Sequence, residues 1–393
     1  MIRKINILII TILLSYSALG QVFNAGKTQK HFYTEFKYEW IGGKIIIPVE
    51  IEGKKYRFIL DTGAPNIISE KLRNNISTEF QKKILITDAY NKKDSMDLVT
   101  IPIIKIGGVK YENIPTLISR NDTNVFFKCF DIDGIIGSNL LRNSIIQILP
   151  ENQLIKLTNE KKKLSLNKKY STKLKFPDKQ STPYFWVKIN ANKKLNEEVY
   201  FDSGMDGFYS LSNNHFHVFR KKGMFNVITE STGDIGVGIL GVADPAKYYQ
   251  IVIPKLILNK TTFNNITIET NNSGNSRIGI KILKYGDVTI DYIDKRFYYE
   301  PFIDSVNLEK KSFGFNPVYY DGKLIIGIVW DKNLKSELKF GDRIIEINGT
   351  TVTNYNLCDL VTHDRFRKCN TLEMTIINSK GKEKKVVVTK KYR

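Results

Sequence analysis

The sequence predicts a mainly β protein that contains two copies of one domain, followed by a third unit. Three blocks recur in the same order: FILDTGAPNIIS matches VYFDSGMDGFYSLS, IIKIGGVKYENIPTLI matches KLILNKTTFNNITIE, and GIIGSNLLRNSIIQILPENQLIKL matches RIGIKILKYGDVTIDYIDKRFYYE. Asp61 and Gly137 are 76 positions apart, and Asp202 and Gly279 are 77 apart. Because matched blocks at nearly constant spacing indicate an internal repeat, we infer a duplicated domain.

The elements of each copy are short apolar or alternating runs, which are typical of β-strands. These runs are Lys44 to Ile51, Arg57 to Leu60, Leu98 to Ile106 and Ser144 to Leu149 in the first copy, and Tyr184 to Ile189, Val199 to Phe201, Gln250 to Leu258 and Asp287 to Ile293 in the second. Turn signals at Gly42-Gly43, Gly107-Gly108 and Asn190 to Lys194 separate such runs. Helices are expected to be few and short, around Asn139 to Asn143 and Asn213 to Arg220.

The first 20 residues have the pattern of a secretory signal peptide. Arg3 and Lys4 precede an apolar run from Ile7 to Leu14, and small residues lead to a predicted cleavage after Gly20. The apolar run is shorter than the roughly 20 residues that a membrane span needs. We therefore expect an exported protein of the periplasm or the cell exterior, including the cell surface, with no transmembrane span after cleavage.

Charge and cysteine content limit the functional classes. The formal net charge is +20, but lysines are spread along the chain and no basic arm or helix stands out, which argues against nucleic-acid binding. The cysteines and the dispersed histidines match no metal pattern, so neither a metal nor a cofactor is expected. Cys358 and Cys369 are candidates to pair in an oxidising compartment, which would leave Cys129 as a small apolar residue.

Asp61 follows an apolar strand, and this position has two readings. A carboxylate there can cap a turn, or it can carry chemistry that justifies the cost of burying it. The repeat supplies a second carboxylate, Asp202, at the matching place. Two carboxylates that share one proton provide an acid and a base side by side, because like-charge repulsion disfavours ionising both.

These residues resemble the two-lobed aspartyl proteases. LDTGA with a later GIIG, repeated as FDSG with RIGI, is the motif pair of that family, and Ala64 is closer to its retropepsin-like branch. The resemblance covers most of residues 40–300. It implies two retropepsin-like β-barrel lobes, at residues 21–158 and 170–303, which form a bilobal aspartyl-protease fold joined by a lysine-rich connection.

The resemblance also implies an activity and roles for the site residues. It implies an exported aspartic endopeptidase that hydrolyses peptide or unfolded-protein substrates with water activated by an Asp61/Asp202 dyad. Thr62 and Ser203 would brace the two turns through their hydroxyls. Gly63 and Gly204 would permit the tight backbone behind each carboxylate. A hairpin between Ile84 and Thr100 would cover the cleft.

The second motif departs from the family pattern. Met205 and Asp206 follow Gly204, where small or hydroxyl residues are usual, and Arg277 stands where a second apolar residue is expected before Gly279. These departures leave open an alternative function. In that alternative the chain is a catalytically degenerate, protease-like scaffold that binds peptides in the cell envelope.

The third unit, residues 308–393, resembles a PDZ domain. Phe313, Gly314 and Phe315 stand where the family has its carboxylate-binding loop, and GDRIIEINGTTV from Gly341 matches a second family stretch. The resemblance implies capture of a C-terminal peptide ligand by addition of a strand to a sheet edge. An ordinary strand that begins with aromatic core residues is the other reading of these three positions. Two-lobed proteases with a C-terminal PDZ domain are familiar among exported bacterial proteins.

Overall fold

The structure is a computed structural model, which describes residues 23–120, 125–225, 227–233, 236–242, 244–320, 322–352, 358, 362 and 369–392. The predicted signal peptide, residues 1–20, lies outside the described residues. The described part of the chain consists mainly of β-strands, as the sequence predicts. None of its helices is both long enough and apolar enough to cross a membrane.

The first repeat (residues 27–158) is a run of strands with three short helices. Its strands are β1 (Lys27–Thr28), β2 (Tyr33–Lys37), β3 (Glu39–Ile41), β4 (Lys44–Ile51), β5 (Lys54–Asp61), β6 (Ile67–Ser69), β7 (Glu79–Thr87), β8 (Lys93–Ile106), β9 (Val109–Ser119), β10 (Gly134–Gly137), β11 (Ile145–Leu149) and β12 (Leu154–Thr158). Its helices are α1 (Glu70–Arg73), α2 (Val125–Cys129) and α3 (Ser138–Leu141). Strand β4 covers the residues that the sequence predicts, and the predicted hairpin is formed by β7 and β8.

The described part of the second repeat (residues 171–307) also consists mainly of strands, with one α-helix and one 3-10 helix, Ile280–Lys284. Its strands are β13 (Ser171–Lys173), β14 (Tyr184–Asn190), β15 (Lys194–Asp202), β16 (Tyr209–Ser212), β17 (Val227–Gly233), β18 (Val237–Gly238), β19 (Gly241–Val242), β20 (Ala246–Leu258), β21 (Thr261–Asn271), β22 (Ser276–Gly279), β23 (Gly286–Asp291), β24 (Arg296–Pro301) and β25 (Ser305–Asn307). Helix α4 (Asn213–Lys221) begins after Ser212, whose Oγ accepts a hydrogen bond from the His215 N–H at 3.1 Å. Side-chain acceptors at this position satisfy an N–H group that the helix itself leaves unpaired.

The main sheets of the two repeats have the same strand order. The first follows β9-β6-β10-β5-β4-β8-β7, and the second follows β21-β16-β22-β15-β14-β20-β17. In each sheet a further pairing, β8 with β9 and β20 with β21, closes the path on itself. The topology therefore reproduces the repeat that the sequence predicts, including its barrel-like closure.

A third sheet joins the repeats. Its order is β13-β24-β23-β11-β12-β2, so β11 of the first repeat pairs antiparallel with β23 of the second. One continuous cluster of buried apolar side chains runs through both repeats and includes Leu60, Ile136, Phe201 and Ile278. The connection between the repeats contains two short 3-10 helices, Lys161–Lys163 and Lys168–Tyr170. The shared sheet and core bring the C-terminal ends of β5 and β15 to the interface between the repeats.

The C-terminal unit (residues 311–392) has its own core. Its strands are β26 (Lys311–Ser312), β27 (Phe315–Tyr320), β28 (Lys323–Val329), β29 (Arg343–Ile347), β30 (Thr350–Thr351), β31 (Thr371–Ile377), β32 (Glu383–Thr389) and β33 (Lys391–Tyr392). The main sheet follows β27-β28-β29-β31-β32, with β30 paired to β29. A separate apolar cluster that includes Ile326, Ile344 and Met374 fills its interior.

The C-terminal unit packs against the second repeat. Tyr248 on β20 forms a small buried cluster with Ile328 and Trp330. Beside it, Asn316 Nδ2 donates to Glu269 Oε2 at 3.1 Å. Burial raises the pKa of Glu269, while the hydrogen bond from Asn316 opposes that shift. This contact region is therefore partly apolar and partly hydrogen-bonded.

The expected pairing of Cys358 with Cys369 is wrong. Cys358 forms a disulfide with Cys129 at the end of α2, and Cys369 is a free thiol. The Cα atoms of Cys129 and Cys358 are 4.5 Å apart, within the range that a disulfide requires. The prediction failed because proximity in sequence was taken as proximity in space, whereas the C-terminal unit folds back to the first repeat.

Candidate active site

The two candidate aspartates end matching strands. Asp61 is the last residue of β5 and lies opposite Gly137 of the parallel strand β10. Asp202 is the last residue of β15 and lies opposite Gly279 of the parallel strand β22. The equivalence of the two positions, which the sequence repeat predicts, is thus present in the strand register.

The two aspartates lie at the interface between the repeats, each beside the turn that carries the other. A Cβ atom added to Gly204 would lie 2.2 Å from Asp61 Oδ2, and one added to Gly63 would lie 2.9 Å from Asp202 Cγ. Each carboxylate therefore sits directly above the glycine that follows the opposite aspartate. Any side chain at either glycine would collide with a carboxylate, so close approach of the carboxylates requires glycine at both positions.

The residues between these aspartates and glycines form a reciprocal hydrogen-bond set. Thr62 Oγ1 donates to the Phe201 carbonyl at 2.7 Å and accepts from the Ser203 N–H at 3.1 Å. Ser203 Oγ donates to the Leu60 carbonyl at 2.8 Å and accepts from the Thr62 N–H at 3.0 Å. Both hydroxyl residues are fully buried, so these four bonds hold the two turns in a fixed relation away from water.

Asp61 sits in an environment that favours its protonated form. Burial and the nearby charge of Asp202 raise the pKa of Asp61 to about 7, although Lys44, the Gly63 N–H and Arg277 act in the opposite direction. The Gly63 N–H donates to Asp61 Oδ1 at 2.9 Å. A carboxyl group in this state can donate a proton near neutral pH.

Asp202 has a different partner from Asp61. Arg277 Nη1 donates to Asp202 Oδ2 at 3.0 Å, and the two side chains are 8% and 7% exposed. Burial lowers the pKa of Arg277, but Tyr200, Asp202 and Tyr90 raise it above its usual value. Asp202 is therefore one half of a buried ion pair.

Met205 and Asp206, two of the residues that depart from the family pattern, contact neighbouring turns. The Met205 side chain folds back over Gly207 and Gly279. The Asp206 carboxylate points to the turn at Gly43 and forms an ion pair with Lys281 at 2.9 Å. Asp206 is exposed, so the additional negative charge is both neutralised and solvated.

A second cation lies close to the two aspartates. Lys44, at the start of β4, is 8% exposed, and its Nζ donates to the Gly204 carbonyl. Its charge lowers the pKa of Asp61. Lys44 thus contacts the backbone of the second motif while it acts on the carboxylate of the first.

Hairpins from the two repeats meet near the site. Tyr90, in the turn between β7 and β8, packs against Gly236 and Gly238 of the second repeat, and Asp88 Oδ2 lies beside Gly238 as well. Ile239, between β18 and β19, is packed against an apolar cluster of the first repeat. The Tyr90 side chain thus lies at the contact between the two hairpins.

The three candidate carboxylate-binding residues of the C-terminal unit precede and begin β27. Phe315 is buried in the core of this unit, and Phe313 packs against that core. Gly314 has a φ of +78°, which favours glycine, and its carbonyl accepts from the N–H groups of Trp330 at 2.7 Å and Asp331 at 2.9 Å.

Arg277 and Lys44 are site residues that the sequence prediction did not assign. Arg277 was noted only as a departure from the motif, in the place of Ile135 of the first repeat. A charged residue at an apolar position of a repeat, two residues before the glycine opposite a candidate catalytic aspartate, was the available signal. Lys44 had no comparable signal. Among the described residues, no group of three or more His, Cys, Asp or Glu side chains is placed to hold a metal ion.

Two closely opposed carboxylates define a class of site that is suited to general acid–base hydrolysis without a covalent intermediate. In agreement with this class, a family model described as aspartyl protease matches residues 47–140, which include Asp61 and Gly137. This match supports the aspartyl protease family and a protease function. A search of curated proteins found no match to the chain.

Proposed function

We propose that the protein is an exported aspartic endopeptidase in which Asp61 and Asp202 form the catalytic dyad of a two-lobed enzyme. The observation that carries this proposal is the placement of the two carboxylates, each at the end of a matching strand and each above the glycine of the opposite motif. The four bonds of Thr62 and Ser203 support it, because they keep the carboxylates close despite their repulsion.

The proposed chemistry is the direct attack of water on a peptide carbonyl. One carboxylate accepts a proton from the water while the other, protonated, donates to the carbonyl oxygen. This requires that the dyad carries one proton in total, a state that the mutual repulsion of the carboxylates favours. The raised pKa of Asp61, about 7, extends this state towards neutral pH.

The test is cleavage of an unfolded protein by the purified protein across pH 3 to 8, with and without a chelator. We expect cleavage that the chelator does not affect, and its loss in Asp61→Asn and in Asp202→Asn. The matched control is Asp304→Asn, which changes an exposed carboxylate outside the site and should retain activity. Retained cleavage in either dyad variant would contradict the assignment.

The other parts of the chain have proposed roles in this function. Residues 1–20 direct export to the periplasm or the cell exterior. The C-terminal unit acts as a PDZ domain that recruits peptide or protein partners, with Phe313, Gly314 and Phe315 as its carboxylate-binding loop. The positive φ of Gly314 and the start of β27 directly after it support this role.

A second candidate function is peptide binding without hydrolysis. The buried ion pair between Arg277 and Asp202 favours it, because it occupies an oxygen of one catalytic carboxylate. In this case the wild type binds unfolded peptides but does not cleave them at any pH from 3 to 8. Cleavage that depends on both aspartates would exclude this candidate.

A further inference from the structure

Arg277 introduces an asymmetry into an otherwise symmetric site. It lies on β22, where its register partner is Tyr200 of β15, and the equivalent position in the first repeat is occupied by Ile135 on β10. The two repeats are otherwise alike in strand order and in the glycines opposite their aspartates. The guanidinium forms its ion pair with Asp202, and it lowers the pKa of Asp61 less than Lys44 or the Gly63 N–H does.

The ion pair between Arg277 and Asp202 strongly favours one charge state. Arginine is not deprotonated in proteins, and a buried guanidinium beside a carboxylate favours the ionised carboxylate. Protonation of Asp202 would leave the buried guanidinium without an ionised partner at hydrogen-bond distance, which is costly. Asp61, by contrast, accepts a hydrogen bond from a backbone N–H and has its pKa raised by burial and by the charge of Asp202.

We propose that Arg277 is a positioning residue that keeps Asp202 ionised and thereby assigns the two proton-transfer roles: Asp202 is the base and Asp61 is the acid. This inference rests on the proposed endopeptidase function. In a dyad of two equivalent carboxylates the single proton can sit on either one. Here the ion pair with Arg277 places the single proton on Asp61 before substrate binds.

The proton movements of the reaction follow from this assignment. The water oxygen bonds to the carbonyl carbon as the carbonyl π bond breaks, and one water proton goes to Asp202 while the Asp61 proton goes to the carbonyl oxygen. When the resulting gem-diol collapses, the C–N bond breaks and the leaving nitrogen takes the proton from Asp202. One diol hydroxyl returns its proton to Asp61, so the dyad regains its starting state.

Other charged and titratable groups around the dyad do not impose the same assignment. Lys44 lowers the pKa of Asp61 and so opposes protonation there, but burial and Asp202 outweigh it. Asp206 is paired with Lys281 on the outer side of the turn. Among the described residues, the phenols of Tyr90, Tyr184 and Tyr200 also interact with Asp202 or Arg277. The pKa values of Tyr184 and Tyr200 are raised, chiefly by burial, so these two are neutral in the working pH range.

The first test is the pH dependence of kcat/KM in Arg277→Met and Arg277→Lys. Methionine keeps most of the length of the side chain without its charge, and lysine keeps the charge. We expect the acid limb of Arg277→Met to move to higher pH by at least one unit, which is a tenfold loss of kcat/KM on that limb. Arg277→Lys should keep the acid limb close to that of the wild type. An acid limb that does not move in Arg277→Met would overturn the inference.

The second test does not depend on cleavage. Carbon-13 NMR of aspartate carboxyl groups, recorded in an Asp61→Asn background, follows the protonation of Asp202 without its partner. We expect Asp202 to remain ionised to lower pH when Arg277 is present than in the Asp61→Asn/Arg277→Met double variant. Equal titration of Asp202 in the two proteins would overturn the inference.

The two tests separate the inference from the proposed function. Absence of cleavage by the wild type, together with an Asp202 titration that depends on Arg277, would reject the endopeptidase while the charge state of Asp202 stands. Cleavage that requires both aspartates, together with an Asp202 titration that is the same with and without Arg277, would support the endopeptidase function. It would reject the assignment of Asp202 as the base and Asp61 as the acid.

Discussion

Thr62→Val removes a hydroxyl from the centre of the hydrogen-bond set between the motifs. Valine has nearly the same shape as threonine, so the change deletes the two bonds of Oγ1 and leaves the Phe201 carbonyl and the Ser203 N–H buried without that partner. The two lost bonds cost about 2 kcal/mol net in total, and the two buried groups left unpaired add about 1 kcal/mol more. We expect a loss of about 3 kcal/mol in the free energy of unfolding, which is about a hundredfold in the equilibrium constant.

The assay is equilibrium urea unfolding of the full chain, and the control is Thr62→Ser. Serine keeps the hydroxyl and loses one methyl group, so it should cost clearly less than valine. The double variant Thr62→Val/Ser203→Ala should be destabilised more than either single variant, because each hydroxyl makes two bonds of its own and the double variant loses all four. We also expect the variants with the larger loss in the free energy of unfolding to show the larger loss of cleavage activity.

The outcome that refutes this reasoning is specific. A loss of less than about 0.5 kcal/mol in Thr62→Val would mean that water or neighbouring groups replace the hydroxyl. An equal loss in Thr62→Ser and Thr62→Val would mean that packing of the methyl group, and not the hydrogen-bond set, carries the effect.

Two further predictions concern glycine and histidine. Gly204→Ala should abolish cleavage, because its Cβ would lie 2.2 Å from Asp61 Oδ2; Gly274→Ala, where nothing lies within 4 Å, is the control that should retain cleavage in the same assay. The hydrogen bond with Glu197 raises the pKa of His215 above its usual 6.5, so this pair stabilises the fold below pH 6.5 and that stability is lost as the pH rises through the raised pKa. The free energy of unfolding in urea should fall less between pH 6 and pH 9 in Glu197→Gln than in the wild type. An equal fall in both proteins would show that the pair of His215 and Glu197 does not carry this pH dependence.

The repeat, its strands and the equivalent positions of Asp61 and Asp202 could be predicted from the sequence, because they depend on local patterns. Apolar and alternating runs specify strands, and the duplication specifies that Asp61 and Asp202 occupy equivalent strand ends. The predicted strand Lys44 to Ile51 and the predicted hairpin are present in the structure. The structure also places both aspartates opposite their matched glycines.

The features that could not be predicted depend on contacts between distant parts of the chain. The charge of Arg277 at an apolar position of the repeat is visible in the sequence, but its ion-pair partner is not, because Asp202 lies 75 positions away on an adjacent strand. The pairing of Cys129 with Cys358 likewise depends on how the C-terminal unit folds back onto the first repeat, which no pattern within either segment encodes. Side-chain partners of this kind are fixed by tertiary packing and not by periodicity.

The disulfide between Cys129 and Cys358 has a consequence for any cut in the chain. It closes a covalent ring across a sequence separation of 229, and this ring holds the whole second repeat. A protease nick anywhere between the two cysteines, whether self-inflicted or made by another enzyme, opens the ring but releases no fragment. The severed pieces stay tethered through sulfur, and they would migrate as one band on a non-reducing gel and as two after reduction.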